Sequence, residues 1–316
     1  VNTVPARQPA IDPVLRDGAP IGLRAVSGAR TVVTSEESGA SSQPAPKMAR
    51  TIAVTSGKGG VGKSNLVANL SIGIARLGKS VLLLDADLGL ANLDVLLGVR
   101  PQHTLYHVFQ GSKDLLDVII SGAPGVKFIA GGSGMRELAD LDDERRTCFL
   151  SGLKRLESFT DVVLIDTGAG LSSNVMSFVT AADEVLIVTT PEPTAMADAY
   201  GIIKTLAQET DTFPQVGIVV NRVRTPEEGA AVAGRIFKVA KQFLEVSVQY
   251  VGYVLDDPSV PRAVKSQRPF MSLYPNTAAS VCVSNLVARM FDVEPEMPQT
   301  GGLSALLSRF MGILGR

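Results

Sequence analysis

Cysteine is nearly absent from this chain of 316 residues: Cys148 and Cys282 stand far apart and form no C-x-x-C pair. Two such thiols leave no disulfide framework, and the expected setting is a reducing cytoplasm with free or buried thiols. Histidine is as sparse. His103 and His107 lie four apart, a spacing metals use, but no acidic or third ligand accompanies them in the H-E-x-x-H manner. The formal net charge is only −1, without the basic excess of a protein built to grip nucleic acid, which counts against a nucleic-acid partner. No run approaches the roughly 18 apolar residues of a spanning helix, and the first residues lack the apolar core of a secretory signal. No internal repeat is present.

What the chain does have is apolar residues, 45% of the total, enough for a sizeable core in one large domain or two small ones. Short β-branched runs alternate with helical stretches. The runs at 51–56, 80–85, 126–130, 161–166, 184–189, 216–221 and 248–254 read as strands. Most are continuously apolar, as in Val81-Leu-Leu-Leu and Val162-Val-Leu-Ile, which is what strands covered on both faces require. The intervening segments are long enough for right-handed crossovers. The expected fold is therefore an α/β, doubly wound, mostly parallel sheet with helices on both faces, its ligand site at the carboxyl ends of the strands.

Directly after the first run comes GKGGVGKS at 57–64. This is the G-x-x-x-x-G-K-[ST] frame of a phosphate-binding loop. Gly57, Gly59, Gly60 and Gly62 let backbone N–H groups curl around a polyphosphate, with Val61 between them; Lys63 reaches the β and γ phosphates, and Ser64 offers a hydroxyl to Mg²⁺. Asn65 follows, and Leu66, Leu70, Ile74 and Leu77 fall on one helical face, so a helix N-terminus points at the phosphates. A second lysine, Lys58, lies inside the loop. One nucleotide needs only Lys63, so Lys58 suggests charge meant for another phosphate, on a facing subunit.

Two later strands end in acids where a magnesium nucleotide would sit: Asp85-Ala-Asp87 and Asp166-Thr-Gly-Ala-Gly170. Phosphoryl transfer to water needs a metal held by oxygen ligands, a placed water and cations on the developing charge. Asp166 suits a Mg²⁺ ligand held through water, and the glycines after it suit a loop that senses the γ-phosphate. Asp85 and Asp87 project to the same side if their strand continues.

The loop with its extra Lys58, the Asp85-Ala-Asp-Leu-Gly-Leu-Ala-Asn-Leu-Asp94 segment and the Asp166 turn resemble the deviant-Walker ATPases of the MinD/ParA type. Lys63-Ser-Asn65 and Thr190-Pro-Glu-Pro-Thr-Ala-Met-Ala-Asp-Ala-Tyr200-Gly-Ile-Ile-Lys204 narrow the likeness to the flagellar-number regulators, the FlhG (FleN/YlxH) family. The resemblance implies a Mg²⁺-dependent ATPase that binds ATP and ADP. Lys58 would be the signature lysine that crosses an ATP-bound homodimer. Asp87 would orient the attacking water, Asp85 would support Mg²⁺, and Asp166 would be the Walker B carboxylate. Asn221 would hydrogen-bond adenine, and Arg222 and the Asp257-Pro258-Ser259-Val260 loop would flank the base. It also implies partners: a second copy of the chain, an FlhF-type GTPase, flagellar switch-ring proteins and the cytoplasmic membrane. Cell-division site selection and DNA partition are the alternative roles in the wider family, and a nucleotide-gated scaffold without hydrolysis is a third.

The ends of the chain read differently. Residues 1–46, rich in Pro, Ser, Gly, Ala and Thr, are expected to be a disordered arm. Family members often begin with a D-Q-A-x-x-L-R-type element that stimulates the GTPase; the nearest approach here, Gln8 to Arg16, differs in order, and Pro9 and Pro13 oppose a continuous helix. An ATPase domain over 47–291 and a linker over 292–302 follow. In 303–316, Leu303, Leu306, Leu307, Phe310, Met311, Ile313 and Leu314 fall within an arc of roughly 160° on a helix. This is expected to be a short amphipathic membrane-targeting helix, with Arg309 and Arg316 for anionic lipid, the alternative being a last core helix packed on the domain. Two such weak anchors on one dimer would bind together. The expected location is cytoplasmic, with peripheral association at the inner membrane.

Overall fold

All residues from 52 to 56 in the first strand, β1 (Arg50–Ser56), are buried, which requires a covering layer on each face and a partner on each edge. The computed structural model describes residues 48–87, 92–131, 143–210 and 213–293, and within them both requirements are met. β1 pairs in parallel with β5 (Val162–Ala169) on one side and β6 (Glu184–Thr189) on the other. β2 (Val81–Ala86) and β4 (Val126–Ala130) extend the sheet beyond β5; β7 (Gln215–Val223) and β8 (Gln249–Leu255) extend it beyond β6. A two-residue edge strand, β3 (Ile120–Ser121), runs antiparallel to β4, giving the order β3-β4-β2-β5-β1-β6-β7-β8.

This is the doubly wound, mostly parallel sheet expected, and all seven expected strands form. β3 was not foreseen, because two residues carry no periodicity. β5 and β7 run past their expected ends, to Ala169 and Val223. Asp166 therefore stands inside a strand and not at its end: β5 keeps its partner as far as Ser56 opposite Ala169, across an irregularity in β1.

The helices are α1 (Lys63–Arg76), α2 (Leu93–Leu97), α3 (Leu105–Phe109), α4 (Asp143–Glu157), α5 (Ser173–Ala181), α6 (Pro193–Glu209), α7 (Pro226–Leu244), α8 (Ser259–Lys265), α9 (Phe270–Leu273) and α10 (Ala278–Met290). Strand alternation divides the apolar residues between the two faces. Ile52, Val54, Leu83, Leu164, Leu186 and Val219 share a core with α1 and α10. Ala53, Val185, Ile187, Ile218 and Val220 share another with α5, α6 and α7. A smaller cluster around Leu82, Phe109 and Ile129 packs under α3 and α4.

α1 departs from the one-faced helix expected. Leu66, Leu70 and Ile74 are buried, but so is each residue between 66 and 74. α9 and α10 cover its outer side; a Cβ on Gly73 would stand 2.9 Å from Val287. Its buried Asn69 is satisfied, accepting from the Met271 N–H at 2.8 Å and donating to the Asn65 carbonyl at 2.7 Å. The helix behind the loop is thus held on all sides, which stiffens the loop's exit.

At the opposite end of β1, roughly 20 Å from the loop, Arg50 ties three elements together. Its guanidinium meets both Glu184 carboxylate oxygens, donates to the Met290 carbonyl at 2.8 Å and lies 4.7 Å from the Phe291 ring centre. Glu184 has a side chain only 12% exposed, so Arg50→Met leaves a buried charge unpaired. Urea unfolding is expected to show a loss of about 2–4 kcal/mol. Adding Glu184→Leu should restore most of it; an equal loss in the double variant would show that the charge pair is not the cause.

Candidate functional site

The loop between β1 and α1 is pinched at both ends. A Cβ on Gly57 would lie 2.4 Å from the Asp198 backbone of α6, and one on Gly62 would lie 2.4 Å from the Asn221 amide nitrogen. Gly62 also takes φ 92 as the residue preceding α1, a left-handed conformation that side chains resist. Ser56 donates to the Lys58 carbonyl at 3.0 Å, and Val61 is buried. No side chain caps α1 and no acid lies in its first turn, so its N–H groups face outward as anion donors.

Below the loop lies a buried ion pair. Lys63 Nζ stands 2.5 Å from Asp166 Oδ1, with side chains 7% and 1% exposed. Sheet register sets this up: Val54 of β1 is opposite Asp166 of β5, and Asp166 is opposite Asp85 of β2. The Ser64 hydroxyl lies near enough to Asp166 to favour its charged form. Burial pushes the Asp166 carboxyl above its ordinary range, and the Lys63 ammonium opposes that rise. Asp85 is pushed up to about 7, first by burial and then by the neighbouring Asp166, partly offset by the N–H groups of Asp87 and Leu93. Its Oδ1 accepts from the Asp87 N–H at 3.1 Å, while its buried Oδ2 has no partner.

Asp87 lies one residue past the end of β2 and is half-buried. Its Oδ1 is 3.6 Å from where a Cβ on Gly168 would stand, an ordinary contact distance that places this carboxylate beside the turn after Asp166. Lys63, Ser64, Asp85, Asp87 and Asp166, picked from distant parts of the sequence, therefore meet in one place. The donor set consists of hard oxygens, including an orphaned buried one, and fits Mg²⁺.

Lys58 points elsewhere. Its Nζ donates to Glu192 Oε2 at 2.6 Å and to Thr194 Oγ1 at 3.1 Å, at the start of α6. The pair is exposed, so water screens it and a stronger anion can replace it. Lys58, and then to a lesser extent Arg222, holds the Glu192 carboxyl below its ordinary range. Sequence reasoning used 190–204 only as a family likeness and missed Glu192, Thr194 and Asp198 as neighbours of the loop. The signal was their position just after β6, the strand beside β1.

Where the resemblance puts the base, Asn221 donates to the Val61 carbonyl at 2.8 Å. Arg222 is exposed at φ 56, and Pro258 is exposed at the start of α8. The buried Asp257 accepts from Ser259 and Ala279 N–H groups at 2.8 and 3.0 Å and fixes that loop to α10. Asn65 turns back along α1, where its Oδ1 accepts from Asn69 at 3.0 Å. His107 has a structural role, its Nδ1 accepting from the Thr104 N–H at 3.1 Å. The arm 1–46, and Leu303, Leu306, Leu307, Phe310, Met311, Ile313 and Leu314 of the tail, lie outside the described residues. Among the described residues no helix is long and apolar enough to cross a membrane.

Gly57→Ala drives a methyl into the α6 backbone and is expected to weaken ATP binding at least about tenfold, measured by calorimetry. Binding within twofold of wild type would show that the loop gives way freely. Asp85, whose folded pKa is raised, contributes stability that is complete below about pH 4 and lost as pH rises through about 7. Asp85→Asn should therefore raise the stability of the nucleotide-free protein more at pH 8 than at pH 4, by on the order of 3 kcal/mol. A pH-independent difference in thermal unfolding would contradict this.

A family model described as an AAA domain matches residues 49–215. The antiactivator FleN of Pseudomonas aeruginosa is 41% identical over 244 residues, 77% of this chain and 86% of that protein. The flagellum site-determining protein YlxH of Helicobacter pylori is 34% identical over 278 residues, covering 84% and 90%. Among solved structures, the septum site-determining protein MinD of Pyrococcus horikoshii, complexed with Mg-ADP, superposes with a TM-score of 0.61 at 26% identity, covering 76% of this chain and 95% of that one. These likenesses in sequence and fold make this chain a member of the MinD/ParA-type P-loop ATPases, within their flagellar FleN/YlxH group.

Proposed function

We propose that this protein is a Mg²⁺-dependent ATPase that regulates flagellar number and placement through an ATP-dependent homodimer and reversible membrane association. The observation that carries the reading is the buried Lys63–Asp166 pair under a phosphate loop, with Asp85 and Asp87 beside it. Among the described residues no three His, Cys, Asp or Glu side chains form a metal cage, so Ser64, Asp85 and Asp166 would hold Mg²⁺ jointly with phosphate oxygens and water. Bound there, the ion supplies charge neutralisation at the β and γ phosphates.

The chain's own residues do the rest. Loop N–H groups bind the phosphates, and Lys63 exchanges Asp166 for phosphate oxygen. Asp87 accepts a hydrogen bond from the attacking water and aligns it, giving ADP and phosphate. Lys58 leaves Glu192 and Thr194 for the triphosphate of the partner protomer, which makes the dimer depend on ATP. The apolar residues of 303–316 then act as paired anchors, joined by the 292–302 linker to the 47–291 domain. An FlhF-type GTPase and flagellar switch-ring proteins are the partners.

In single-turnover assays Asp87→Ala should hydrolyse ATP roughly a hundredfold more slowly than wild type yet still dimerise with ATP and not ADP. Equal rates would remove its catalytic role. Lys58→Ala should bind ATP but remain monomeric on sizing. Liposome co-sedimentation should require both ATP and residues 303–316; equally strong binding without ATP would sink the switch. Cells lacking the protein should carry extra or misplaced flagella, whereas minicell formation with normal flagella would favour a role in division.

A further inference from the structure

Strand β7 does not end smoothly at the site. Its register against β8 shifts between Asn221 and Val223, and Arg222 takes φ 56, a left-handed conformation uncommon outside glycine. Bulges of this kind re-aim a side chain at the edge of a site. Here the result is that Asn221 turns toward α1: its Nδ2 donates to the Val61 carbonyl at 2.8 Å, and its Oδ1 accepts from the Arg222 N–H at 2.9 Å. The amide stands so close to Gly62 that a single methyl there would meet it at 2.4 Å. Val61 and Gly62 immediately precede Lys63, whose N–H opens α1 and whose ammonium lies in the ionic cluster.

We propose that Asn221 is a positioning residue for the phosphate half of the site: its amide holds the Val61 carbonyl and so sets the curl of the loop before any base is bound. The proposal rests on 57–64 being a nucleotide-binding loop, and it adds a role separate from contact with the base. A carboxamide has two N–H groups and two acceptor lone pairs, so one N–H can hold the loop while the other faces a ligand. The asparagine then links the two halves of the site, because whatever moves β7's end moves the loop's last turn. The bulge at Asn221 and the strained Arg222 serve this aim, since an unbulged strand would continue its alternation past the loop.

Inorganic tripolyphosphate carries no base and separates the two roles. Wild-type protein should bind both Mg²⁺-ATP and Mg²⁺-tripolyphosphate; failure to bind either refutes the nucleotide-site reading itself. Asn221→Ala is expected to weaken tripolyphosphate binding by about three- to tenfold, the worth of one hydrogen bond, and to weaken ATP at least as much. Loss of ATP affinity with tripolyphosphate bound as by wild type would overturn the proposal, leaving a base contact alone.

Asn221→Asp provides a second readout that needs no ligand. It keeps the acceptor for the Arg222 N–H and removes the donor to Val61. In nucleotide-free protein, hydrogen exchange over 57–66 should be at least threefold faster in both variants, with 105–130 unchanged. Wild-type exchange at the loop in either variant would equally overturn the proposal, and a uniform rise across the whole chain would mark general destabilisation and do the same.

Discussion

The parallel pairing of β1 with β5 is the constraint on which the site depends. It sets Val54 beside Asp166 and carries β5 on past the acid. The loop leaving β1 therefore emerges directly above a buried carboxylate, and Lys63, first residue of α1, closes onto it. β2, on the far side of β5, adds Asp85 in register with Asp166. Two buried carboxylates and one ammonium leave a negative charge uncompensated, and burial first and Asp166 second push the Asp85 carboxyl up to about 7. Such a cluster is weak support for stability; a polyphosphate with its cation is what the arrangement suits.

The loop itself is shaped from outside. α6 lies against its first glycine and Asn221 against its last, while α9 and α10 pack the helix behind it. Rigid support of this kind lets backbone N–H groups hold a fixed geometry at no cost on binding. Lys58 is the contrasting case, parked on Glu192 and Thr194 by an exposed and therefore exchangeable contact. One lysine of the loop is buried against Asp166 and the other lies in an exposed pair with Glu192.

Much of this was legible in the amino-acid order. Strands buried on both faces show as unbroken apolar runs, and all seven expected ones form. The phosphate loop, Asp85, Asp87 and Asp166 were visible because each lies just past such a run or within its last turn, where local patterning is informative. The limits of β5 and the all-round burial of α1 were not visible. A strand's end depends on where its neighbour stops pairing, and a helix's outer face is covered or bare according to what packs on it later in the chain.

The sequence by itself thus determined the fold class, the phosphate chemistry and the acids that attend it, since these follow from short-range pattern and residue type. Tertiary structure alone decided what those groups touch. Lys58 meets Glu192 from 134 residues away, Lys63 meets Asp166 from 103, and Asn221 reaches Val61 across 160. No local period encodes contacts over such distances. They arise when sheet order brings β5, β6 and β7 beside the loop.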